Sequence, residues 1–216
     1  MRSLGLLALV ASTVLAGCNL VITDRPMFDR EAVAERAFKA GVWASVQADC
    51  PIPRAGETVQ HWPTCASARI LRPGIEGLVL ARGDPMIYQL RMTTDEGSSY
   101  AYAGLRPTHL DKSGKIDAFE LWPVECGPPV ITPEGERRPT KTPGPGLTMN
   151  GEEPSSCRAE DASAVRRAAK DSRNWAPVKV FIWVRPRKLL DKSPPLAWEM
   201  DTAYGMKKAE PPSAPR

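Results

Sequence analysis

The sequence predicts a mainly β fold with flanking helices, an α+β domain built on an antiparallel β-meander or small barrel, with a late helix and a C-terminal strand. Three observations predict it. From Gly41 to Cys126, short apolar or alternating runs are separated by turn residues, the pattern of antiparallel strands. After Cys157 the order of charges changes to one that suits a helix dipole. From Val178 to Val184, Val178, Val180, Ile182 and Val184 alternate with Phe181 and Trp183, which predicts a strand with apolar residues on both faces.

Taken in order, Phe28 and Val33 form a hydrophobic staple around Asp29, a good N-cap, and Gly41 supplies a stop, so a helix is expected over residues 30 to 40. Strands are expected at 42–48, 67–72, 76–81, 86–93, 98–104, 105–110 and 115–122. In the fourth of these Tyr88, Leu90 and Met92 alternate with Gln89 and Arg91, which predicts one buried and one wet face. Asp111-Lys112-Ser113-Gly114 is a hairpin turn in which the glycine takes a positive φ. Residues 127 to 156 hold Pro, Gly and charge without a period and read as a long mobile loop, functional or spacer. A helix follows at 158–173, with Glu160 and Asp161 in its first turn and Arg166, Arg167 and Lys170 later. The last strand covers 178–185, and beyond Pro186 the chain is Pro-rich and increasingly polar.

Composition narrows the function classes. The 216 residues carry a formal net charge of +4, too small a surplus to indicate nucleic acid as a partner. Length suits one domain. The 22 prolines are about twice average usage and mark long irregular segments. Of the five cysteines, Cys18 stands alone at the start. Cys50, Cys65, Cys126 and Cys157 remain, and an even number in an oxidising compartment reads as two disulfides, with three connectivities open. The preferred pairing joins Cys50 to Cys65 and Cys126 to Cys157, because each pair brackets a Pro-containing, loop-like stretch. His61 lies between the first two, but zinc sites favour close Cys-x2-4-Cys pairs, so neither metal nor cofactor is expected.

Leu15-Ala16-Gly17-Cys18 closes an apolar run that begins after Met1-Arg2 and is shorter than the roughly 20 residues a membrane span needs. This segment resembles the lipobox of bacterial lipoproteins, and the chain as a whole is similar to small alphaproteobacterial lipoproteins with paired cysteines. The resemblance implies that residues 1–17 are a cleaved signal peptide and that Cys18 receives a diacylglycerol and an N-acyl chain. With the Asp29 N-cap opening the folded part and Pro-rich sequence following Pro186, the chain is expected to divide further into a lipidated tether at 18–28, a single disulfide-stapled β-rich domain at 29–186 and a Pro-rich, largely irregular tail at 187–216. Three acyl chains hold a protein permanently on a membrane. Asn19 follows the cysteine, and in enteric lipoproteins the lack of Asp there permits release to the outer membrane. The expected location is therefore the periplasmic face of the outer membrane, with a binding or structural role in the envelope.

Trp62-Pro63-Thr64-Cys65 and Trp122-Pro123-Val124-Glu125-Cys126 each place Trp and Pro before a half-cystine. They read either as Trp packed on a disulfide or as a ligand or partner surface that includes Trp62, Trp122 and Trp43. Gly41-Val42-Trp43 resembles the Gly-x-Trp of lipocalins, which implies a barrel cup for a small apolar ligand with Trp43 closing its base. For catalysis the sequence offers little: no nucleophile elbow, no His-Glu-x-x-His and no Walker loop. His61 with Asp49 is the nearest approach to a base, and Asp117 and Glu120 are expected on opposite strand faces, unsuited to an acid/base pair. No catalytic residue is assigned, and an enzyme is not expected.

Overall fold

The computed structural model describes residues 19–28, 37–46, 49–71, 78–94, 97–151 and 156–187. The lipobox with Cys18, most of the helix expected at 30–40 and nearly all of the Pro-rich tail lie outside them. The described fold is mainly β with one α-helix. Its strands are β1 Leu20–Thr23, β2 Gly41–Val46, β3 Ala66–Leu71, β4 Leu78–Ala81, β5 Met86–Thr94, β6 Gly97–Leu110 and β7 Ile116–Pro123, followed by β8 Val130–Ile131, β9 Arg137–Arg138, β10 Leu147–Met149 and β11 Ser156–Ala159. Helix α1, Ala162–Ser172, and strand β12, Lys179–Arg185, complete it.

Strands β4 to β7 form the expected antiparallel meander. The last strand then inserts between β7 and β2, so that β7, β12, β2 and β3 continue the same sheet. The sheet does not close into a barrel, which corrects that alternative. Its interior is filled: Phe38, Trp43, Leu80, Tyr88, Leu105, Ile116, Phe119 and Phe181 form one buried cluster, with Phe119 and Phe181 stacked at 4.9 Å. Burial of so many aromatic rings supplies the main driving force for this half of the molecule.

Several boundaries move for identifiable reasons. The strands expected at 98–104 and 105–110 are one 14-residue strand, β6. Its Pro107 is accommodated by register shifts between Pro107 and Leu110, the irregularity a proline needs inside a ladder. At the following turn Gly114 has φ 77° and donates to the Asp111 carbonyl. The Asp111 carboxylate accepts the hydroxyl and N–H of Ser113 and the N–H of Lys115, bonds that hold its pKa down at about 2. Helix α1 begins later than expected because Asp161 is its N-cap, accepting from the Ala164 N–H. Residues 156–159, which include the start of the expected helix, are strand β11 instead. Residues 37–40 are not helical either: Phe38 bridges to Ile116.

The stretch from 127 to 156, expected as a mobile loop, carries the β8–β9 hairpin and β10, which pairs with β11. Leu147 enters the core beside Cys126, Cys157 and Val165, so this stretch is no mere spacer. The larger correction is at the N-terminus. Residues 19–28, expected as a free tether, are built into the domain. Strand β1 lies between β11, in a parallel pairing, and β6, and Val21 is fully buried.

Gln89 closes the far end of that segment. It is only 1% exposed, contrary to the wet face expected from alternation, because its side chain substitutes for a strand partner. Its Oε1 accepts the N–H groups of Met27 and Phe28, and its Nε2 donates to the Phe28 carbonyl. Gln89→Leu would leave these three backbone groups without their partner, so a loss of about 2 kcal/mol is expected. A urea melt, together with faster hydrogen exchange confined at first to residues 27 and 28, checks it.

Candidate functional site

Neither the histidines nor the carboxylates singled out from sequence assemble into a catalytic group. The exposed His61 bonds to the Thr58 hydroxyl at 2.8 Å, a local turn contact, and Asp49 sits in the left-handed region at φ 63°. Asp117 pairs across the β6–β7 hairpin with the exposed His109, whereas Glu120 pairs with Arg173 after the helix at 2.7 Å. The two carboxylates thus have separate partners. Among the described residues, no three His, Cys, Asp or Glu side chains converge as metal ligands.

The three tryptophans offered as a ligand or partner surface are buried, which corrects that reading. Trp43 is enclosed by Phe38 and Phe119 and donates to the Lys39 carbonyl at 3.0 Å. Trp62 packs in a cluster with Val42, Ala44, Val46 and Val184, against which Cys50 is also packed. Trp122 donates from its indole N–H to the Ala169 carbonyl at 2.8 Å, fastening the helix to the sheet. It reaches that position over Gly104, where a Cβ would overlap its ring. Position in the fold accounts for the burial: Trp43 and Trp122 lie on covered strand faces, and Trp62 folds in from the loop before β3 onto residues of β2 and β12.

Both cysteine pairs expected from sequence are joined, Cys50 to Cys65 and Cys126 to Cys157. The second pair organises the most unusual part of the molecule. Cys157 pairs in register with Val21, while the Cys126 N–H donates to the Asn19 carbonyl at 2.7 Å. The disulfide therefore ties together the two chain segments that hold β1 at its start.

Around that start lies a buried polar cluster the sequence did not reveal. Glu125, whose side chain is 6% exposed, meets Arg137 Nη2 at 2.6 Å. Arg137 Nη1 also donates to the Trp175 carbonyl, and the Ser172 hydroxyl accepts from the Glu125 N–H. Burial pushes the Glu125 carboxyl upward in pKa, opposed by the charge and hydrogen bond of Arg137. Beside it Asn19 is 3% exposed. Its Nδ2 donates over 3.4 Å to the Thr140 carbonyl, and its Oδ1 is buried without a hydrogen-bond partner.

This geometry bears on one substitution at Asn19. Asn19→Asp would replace the amide donor by a carboxylate oxygen facing the Thr140 carbonyl, inside a site already holding Glu125. A loss of about 2 kcal/mol is expected, measured by denaturant melts of the chain with and without the change.

Comparison with family models, curated proteins and solved structures found no match.

Proposed function

We propose that the protein is a lipid-anchored component of a bacterial envelope, held by acyl chains on Cys18 at the periplasmic face of the outer membrane, where it binds or organises envelope components without catalysing a reaction. The observation that carries this reading is Leu15-Ala16-Gly17-Cys18 at the end of a short apolar run. The two disulfides support it, since such bonds persist in oxidising compartments. No helix among the described residues is long and apolar enough to cross a membrane; the proposed attachment, a lipid on Cys18, rests on the Leu15–Cys18 motif. The partner class is an envelope protein or the membrane itself. The alternative function is a lipocalin-like carrier of a small apolar ligand, and the packing of Phe38, Phe119 and Phe181 with Trp43 in one buried cluster weighs against it. Such a carrier needs an apolar space where these rings stand.

Metabolic labelling with a fatty-acid analogue tests the proposal. The native chain is expected to take up label and sediment with membranes. Cys18→Ser is expected to lose all label and to give a soluble or uncleaved product. Label retained by Cys18→Ser would overturn the assignment of Cys18. Density separation of inner and outer membranes tests the location independently.

A further inference from the structure

The start of β1 fixes where a lipid on Cys18 would leave the domain. Asn19 is buried and held by Cys126 and Thr140, and successive Cα atoms are about 3.8 Å apart. One peptide unit separates Asn19 from Cys18, so a lipid on Cys18 would hold the domain directly on the bilayer with this end toward it. That end also carries the β8–β9 hairpin. Val130 follows Cys126 by four residues, about 14 Å of chain at full extension. Ile131 pairs in register with Arg137, whose guanidinium bonds Glu125, itself bridged to Leu20. Two independent routes thus keep the hairpin beside the anchor.

Val130 is 54% exposed and Ile131 61%. Neighbouring residues of a strand point to opposite faces: Val130 shares the open face with Arg138, whereas Ile131 shares the other with Arg137, whose guanidinium turns onto Glu125 and the Trp175 carbonyl, so that face is covered in part and Ile131 remains exposed on it. Arg138 and Lys141 accompany them, and Glu134 and Glu136 offset that charge, Arg138 pairing with Glu136. The local charge is close to balanced, which suits burial in a headgroup layer by apolar contact more than capture by charge. Among the described residues, the other exposed large apolar ones are Ile52, Val59, Leu110 and Val178. Ile52 and Val59 precede β3, at the other end of the strand order, Leu110 ends β6 well beyond the Ala101 that pairs with β1, and Val178 stands alone before β12.

We infer that the β8–β9 hairpin is a membrane-docking element, inserting Val130 and Ile131 into the interface of the bilayer that holds the Cys18 lipid and so setting the orientation of the domain. This rests on the lipoprotein reading. Its failure is separable from failure of that reading, because the mass of the Cys18 peptide reports lipidation by itself.

The test uses the full lipidated protein in vesicles of phosphatidylethanolamine and phosphatidylglycerol, compared with Cys18→Ser protein in solution, by hydrogen exchange. Amides between 128 and 138 are expected to exchange at least about tenfold more slowly on the vesicle. Val130→Asp/Ile131→Asp is expected to abolish that protection while the protein stays lipidated, with both disulfides and the thermal midpoint unchanged. A lipidated protein without protection there, protection over 52–59 instead, or protection that requires added envelope protein would each overturn the docking assignment. A Cys18 peptide without lipid would overturn the reading beneath it.

Discussion

Cys126→Ala/Cys157→Ala is expected to lose about 4 kcal/mol of folding stability, measured as the shift of a urea midpoint at constant slope. The bond spans 31 positions of sequence, and in the chain-entropy model a loop of that size is worth about 3.7 kcal/mol. Both half-cystines are fully buried among Val21, Val124, Leu147 and Val165, so loss of the sulfurs adds a packing cost. Cys50→Ala/Cys65→Ala should cost less, about 3 kcal/mol, because it releases a 15-position separation at a less buried site. The order of the two losses is informative. If the Cys50 pair mattered more, the disulfide beside β1 would not be the organising staple argued above.

Much of the sheet is legible in the sequence, since strands and their turns leave local signals. Gly114 and the Asp111 carboxylate define one hairpin, and the Val180 to Val184 alternation marks β12 with apolar neighbours on both sides. The paired cysteines are equally readable, because each pair brackets a stretch that has to return on itself. What sequence hides is long-range substitution of one partner for another. Leu20, Val21 and Ile22 form an apolar run, yet their place next to Leu15-Ala16-Gly17-Cys18, which resembles a lipobox, makes them look like the end of an anchor region rather than a strand paired with residues 156 and 157. Gln89 looks solvated in its alternating strand, whereas the backbone of residues 27 and 28 makes it a buried clamp. Trp122 looks available for binding and is instead a fastener for α1. The Glu125–Arg137 pair has no local signature, since its members lie on separate elements and only the fold brings them together.

Arg137→Met tests that pair and carries the other large expected effect. Removing one member of a buried ion pair leaves an uncompensated charge, a loss of about 3–5 kcal/mol in general. Arg137 is itself 34% exposed, and screening of its head places the expected loss near the lower limit, about 3 kcal/mol at pH 7. The pH dependence distinguishes the electrostatic cause from lost packing. Burial already raises the Glu125 pKa above its ordinary 4.5 in the folded protein, so its contribution to stability is greatest below that value and declines as pH rises through the folded pKa. Arg137→Met removes the charge and hydrogen bond that lower this pKa, raising it further and steepening the decline. The variant should therefore lie closest to the native protein near pH 4.5 and furthest from it above the folded pKa. Glu125→Gln in the same chain should restore most of the loss at pH 7 and flatten the difference, because an amide has no charge to strand. Denaturant melts of the four proteins of this cycle between pH 4.5 and pH 8 provide the measurement. A loss in Arg137→Met that is constant with pH and untouched by Glu125→Gln would assign Arg137 to hairpin packing alone.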